Sequence, residues 1–167
     1  MGPSFDCLPA VLCRFHDLPD GGTAEGTFRV TRGHGVMRGA IATLMKLPCA
    51  GEGVTVSLRV TVDADGERWV RHFDSQVLIT RQWMERELLF EAAGPLQFGF
   101  RMSVDGERML FTMEQCRLAG VRVPLVIAPR VSAVVEGRES VWHACVEVSV
   151  PMLGMLVRYE GEMNPAC

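Results

Sequence analysis

No run of apolar residues in this chain is long enough to span a membrane, and no basic-then-apolar leader opens it. The segment Cys7-Leu8-Pro9-Ala10-Val11-Leu12-Cys13 is too short and too broken for either role. Basic charge is lacking as well: a formal net charge of −3 leaves no stripe to follow a nucleic-acid backbone. His16, His34, His72 and His143 fall at no HxH or HExxH spacing, so no metal site is expected. There is no GxSxG nucleophile elbow, and no Cys–His pair stands out. Cys7, Cys13, Cys49, Cys116, Cys145 and Cys167 match neither a disulfide framework nor a CxxC pair, so reduced thiols are expected. These absences point to a soluble cytoplasmic protein with no nucleic-acid, membrane or metal partner and no cofactor. A homodimer stays open.

What the chain does have is alternation. Its 167 residues suit a single domain over 1–167 with one core. Leu96, Phe98, Phe100, Met102 and Val104 alternate with Gln97, Gly99, Arg101 and Ser103, and Asp105-Gly106 then offers a tight hairpin tip back into Met109–Leu118. The same device recurs over 23–32, 54–62, 67–73, 77–84, 87–92, 130–135, 140–150 and 152–160. Tips are expected at Asp65-Gly66-Glu67-Arg68, Asp105-Gly106-Glu107-Arg108 and Glu136-Gly137-Arg138-Glu139; similar turn chemistry explains their likeness better than an internal repeat. Val121–Ala128 is apolar but interrupted by Pro124 and followed by Pro129, which limits it to an edge strand or a crossing segment.

Helical spacing occurs twice. Phe5, Leu8, Val11, Leu12, Phe15 and Leu18 predict a short N-terminal helix in an arm over 1–22. Val36–Leu47 predicts the main helix, with Met37, Ala40, Ile41, Leu44 and Met45 as its apolar stripe and Pro48 as its stop. About nine or ten strands with one main helix predict an antiparallel β-barrel, or a strongly curved sheet, over 23–162. A closed barrel is favoured because it removes exposed apolar edges.

Gly33-x-Gly35-x-x-x-Gly39 with Asp63 imitates a dinucleotide fingerprint, but the preceding strand alternates and no βαβ unit follows. Turn and helix-entry glycines account for it better. The more informative residue is Arg71, which shares a strand face with Trp69 and Phe73. If that face is internal, a guanidinium held among aromatics could orient a carboxylate, carbonyl or enolate; if Val70 faces inward, Arg71 only covers surface rings. Tyr159, the single tyrosine, could bring a hydroxyl to a pocket or serve the rim or core. His143 and Glu147 share the face opposite Trp142, Ala144, Val146 and Val148, which more often meets solvent. Ten methionines suit either a malleable lining for a greasy ligand or a solid core. The candidate lining is Trp69, Phe73, Trp83, Phe90, Leu96, Phe98, Phe100, Met102, Met113 and Trp142, with Arg71 and Tyr159 as candidate catalytic groups.

Several words in order resemble a bacterial domain family of unknown function. They are Arg14-Phe15-His16-Asp17-Leu18-Pro19, Arg32-Gly33-His34-Gly35, Leu47-Pro48-Cys49-Ala50-Gly51-Glu52, Gly66–Phe73, Gly94–Arg101, Ala128-Pro129-Arg130-Val131 and Leu156–Gly161. Members of that family often follow a saccharopine-dehydrogenase-like or short-chain-dehydrogenase-like Rossmann domain, and some stand alone. The resemblance implies no established activity and no agreed catalytic residues. This chain departs from it in the less basic stretch Asp74–Leu78 and in Glu162, where an aromatic is usual.

A small-molecule barrel without motif chemistry fits a cofactor-independent cyclase or isomerase, closing rings on an apolar, polyketide-like product of secondary metabolism. Such chemistry needs shape and a few polar anchors, since orientation alone supplies several kcal/mol. The alternatives are a non-catalytic binding domain, or an accessory to a Rossmann dehydrogenase, and a purely structural module.

Overall fold

The computed structural model describes residues 21–166, so the helix expected over 5–18 lies outside them. The elements are β1 (Gly22–Arg32), α1 (Val36–Leu44), β2 (Gly51–Asp63), β3 (Gly66–Phe73), β4 (Gln76–Glu85), β5 (Leu88–Ala93), β6 (Leu96–Asp105), β7 (Arg108–Leu118), β8 (Val121–Arg122), β9 (Arg130–Arg138), β10 (Val141–Val150) and β11 (Gly154–Ala166).

Ten strands close a barrel, all antiparallel. Each of β2 to β7 pairs with the strand before it; β7 continues to β9, and β10 and β11 lead back to β1. The pairing of Arg108–Thr112 with Ser132–Glu136 is the seam that removes the last pair of open edges. The two-residue β8 pairs only with the end of β7, so Val121–Ala128 is mainly a crossing segment, the second of the two forms its prolines allow. No helix among the described residues is long and apolar enough to cross a membrane.

Alternation decides which side chains face inward. In β2, Val54, Val56, Leu58 and Val60 are buried while Thr55, Arg59 and Thr61 are exposed. Outward residues carry ion pairs along the wall, such as Arg101 with Glu114 at 2.5 Å and Arg117 with Glu85 at 2.9 Å. Gly106 takes φ +60 at the first of the two tip residues between β6 and β7, the place a type II′ hairpin gives to glycine.

The helix and two tips differ from expectation, the first tip falling at Ala64-Asp65 because β3 already begins at Gly66 opposite Asp63. The helix ends at Leu44, three residues before the expected Leu47. Lys46 adopts φ +54, its amide bonds to Thr43 O, and the Leu47 amide bonds to Ala42 O. That is a Schellman closure with lysine where glycine is usual, so a left-handed residue stops the helix before Pro48 can. The stripe is rotated too: Ala42 is buried with Ile41 and Met45 against the core, whereas Met37 and Leu44 stand exposed. The third tip falls at Glu139-Ser140, with Glu139 at φ +42, because β9 runs on through Gly137, which sits opposite Trp142.

Candidate functional site

The barrel is hollow. Eight-stranded barrels are just wide enough for side chains to fill, so ten strands leave space unless every wall is bulky. Here part of the wall is small: Val131, Ala133 and Val135 from β9 and Ala144, Val146 and Val148 from β10 line the interior beside Phe98, Phe100, Met102 and Phe111 of the neighbouring β6 and β7. The resulting cavity is about 500 Å³, within the range of small-molecule sites. Met45 and Leu47, from the helix end and the loop after it, line it at one end of the barrel.

A short polar belt crosses this apolar lining. Trp69, Arg71 and Phe73 all point inward, which resolves the open question about their face. Arg71 Nη1 donates to Thr80 Oγ1 at 2.8 Å and to Glu91 Oε1 at 3.1 Å, and its guanidinium lies 4.8 Å from the Trp69 ring centroid. Trp69 Nε1 donates to Glu67 Oε2 at 2.8 Å. The Tyr159 ring meets Phe73 nearly edge-on at 5.4 Å and Phe28 at 6.2 Å. Burial pushes its phenol up to about 12; Arg71 partly opposes that shift, and Glu91 adds to it. At neutral pH Tyr159 is therefore a hydroxyl donor rather than a base.

Of the residues singled out from the sequence, Trp69, Arg71, Phe73, Phe98, Phe100, Met102, Trp142 and Tyr159 line the cavity. Leu96 and Met113 do not; they pack beside Phe98, Phe100, Cys116 and Ala128 in a satellite cluster. Trp83 and Phe90 do not either. They stack on each other at 5.6 Å, Phe90 lies so close to Gly99 that an added Cβ would meet its ring at 3.0 Å, and the Arg117 guanidinium covers it at 4.3 Å. This small outer core buries Phe90 to 1 % exposure without any part of the cavity. On β4 and β5 the usual rule thus fails, with Thr80, Gln82 and Glu91 facing in among Leu78, Met84, Leu89 and Ala93. Gly99, a strand position with no side chain of its own, was the signal that an aromatic could sit outside.

The cysteines and the glycines of 33–39 do not line the cavity. Burial raises the Cys116 and Cys145 thiols, which keeps them from being poised nucleophiles. Cys145 lies on the outer face, where its thiol is 3.8 Å from Glu160. Among the described residues no group of His, Cys, Asp and Glu could hold a metal ion. Gly33 donates its amide to Leu156 O and Gly35 enters the helix, so both serve the join between β1 and α1.

Comparisons with known proteins agree with this architecture. None of the curated proteins matches the chain. A solved structure of a protein with unknown function from the DUF3598 family of Nostoc punctiforme is similar, with a TM-score of 0.56 at 7 % identity. The match covers 87 % of this chain and 47 % of that one, so this chain spans about half the length of that protein, and the likeness is one of fold. Residues 8–163 match the family model described as Domain of unknown function (DUF4166), and the chain belongs to that family.

Proposed function

We propose that the barrel binds one small, largely apolar molecule in its interior, with its single polar group set against the Arg71 belt. The observation that carries this reading is the cavity of about 500 Å³ lined largely by alanine, valine, phenylalanine and methionine side chains. A chain selected only for stability would fill such a space, since voids lose contacts and destabilise.

The belt narrows the ligand class. Glu67 and Glu91 face the interior with Arg71 as their one guanidinium, and Glu91 already pairs with it. A ligand carboxylate would meet two carboxylates for one cation, so a neutral carbonyl or hydroxyl is the better fit. Arg71 and the Tyr159 hydroxyl are donors toward such an oxygen.

The finer reading is catalytic: a flexible polyene or ketone folded by the cavity into a reactive shape, with ring closure that redistributes electrons within the substrate and needs no cofactor. The inward polar belt favours it, because a simple carrier needs fewer fixed donors. A non-catalytic carrier or an accessory to a dehydrogenase is the competing role. Native mass spectrometry of the purified protein, followed by solvent extraction, tests binding itself. A stoichiometric neutral, apolar adduct is expected. An empty protein that also takes up no apolar molecule would remove both the binding and the catalytic readings.

A further inference from the structure

We infer that the helix-bearing end of the barrel docks on the surface of an anionic lipid bilayer. The two ends of the barrel differ in kind. One carries tight acidic tips such as Asp63-Ala64-Asp65 and Asp105-Gly106-Glu107. The other carries the short connections 74–75 and 94–95 and three segments, 33–50, 119–129 and 151–153, that converge. The Gly33 amide bonds to Leu156 O, Met45 packs with Ala128 in one cluster, and Arg130 pairs with Ser149 just before the 151–153 turn.

These three segments contain no Asp or Glu, and they bring His34, Arg38, Lys46 and Arg122, with Arg130 at the start of β9. None of these five forms an ion pair among the described residues. Acids that border this end are engaged: Glu52 pairs with Arg29 at 2.8 Å, Asp74 accepts the Thr55 amide at 3.0 Å, and Glu114, which lines a surface pocket with Arg122, pairs with Arg101. The seven most exposed large apolar side chains among the described residues all lie on the same segments, from Met37 at 63 % to Met152 at 105 %. The helix presents Val36, Met37 and Leu44; the crossing segment presents Val121, Val126 and Ile127.

Apolar tips flanked by cations that make no ion pair among the described residues match what an interfacial contact with anionic lipid requires: the tips enter the acyl boundary and the cations meet headgroups. Such a contact needs no span, so the lack of one does not bear on it. It is also independent of what the cavity holds.

Flotation of the full chain with vesicles tests the inference. Binding to phosphatidylcholine vesicles containing phosphatidylglycerol is expected, falling with salt and at least about tenfold weaker on phosphatidylcholine alone. Replacing Leu44, Val126 and Met152 together by Glu should weaken it by at least about tenfold without moving the melting transition, since all three side chains are exposed. Lys46→Glu with Arg122→Glu should weaken binding to the anionic vesicles only. No binding to the anionic vesicles, or equal binding to both kinds, overturns the inference. Self-association lost in the triple variant, with no vesicle binding, would assign the face to a second copy of the chain instead.

Discussion

Because Tyr159 is the only tyrosine, the phenolate absorbance of the whole protein reads that one side chain. Its folded value near 12 stands above the ordinary 10, so the fold favours the protonated phenol. The stability this contributes is whole below pH 10 and is lost as pH rises through about 12. A spectrophotometric titration should show the midpoint near 12 in the folded protein and near 10 after denaturation. A folded midpoint at the ordinary value would remove the buried hydroxyl donor from the site. Arg71 and Glu91 are coupled in the same interior, with side-chain exposures of 17 % and 20 %. Arg71→Leu strands a carboxylate and should cost about 2–3 kcal/mol in chemical denaturation, part of which the Arg71→Leu/Glu91→Leu double variant should restore. Gly161 matters for a different reason. A Cβ there would meet Phe28 Cγ at 2.7 Å and also the Thr27 carbonyl oxygen. Gly161→Ala should therefore destabilise by about 2 kcal/mol or more, through overpacking at the wall that seats Phe28 and Tyr159.

At the scale of elements, the strands were legible because a period of two is hard to imitate. β2, β6 and β10 alternate without a break, and each lies where its pattern places it. The helix was legible in position but not in orientation. Its apolar residues exceed one stripe, so burial of Ile41, Ala42 and Met45 rather than Met37 and Leu44 was decided by the barrel beneath it. Its end was hidden as well, since Lys46 gives no sign that it takes the left-handed role. Lys46→Gly should stabilise the protein by up to about 1 kcal/mol, measured by thermal or chemical unfolding, because glycine adopts that conformation without a Cβ clash. The site was half legible. Trp69, Arg71 and Phe73 could be grouped on one face from spacing alone, while Glu91 and Thr80 could not be found. On β4 and β5 a buried outer aromatic pair and inward polar side chains break the pattern on which such reasoning depends.

For the molecule as a whole, closure and hollowness have separate causes. Closure follows from apolar strands that cannot leave an edge in water, which many side-chain combinations would satisfy. The hollow depends on the choice of small residues for β9 and β10, where Ala133, the register partner of Phe111, and Ala144 line the cavity. Enlarging that wall should remove ligand capacity while leaving the barrel closed. The most direct measurement is a titration with an apolar dye that fluoresces when sheltered from water, run on the native chain and on Ala144→Trp. Saturable binding at one molecule per barrel, lost in Ala144→Trp while the melting transition persists, is the expected result. No saturable binding to the native chain, or equal binding to both proteins, would contradict an interior ligand site.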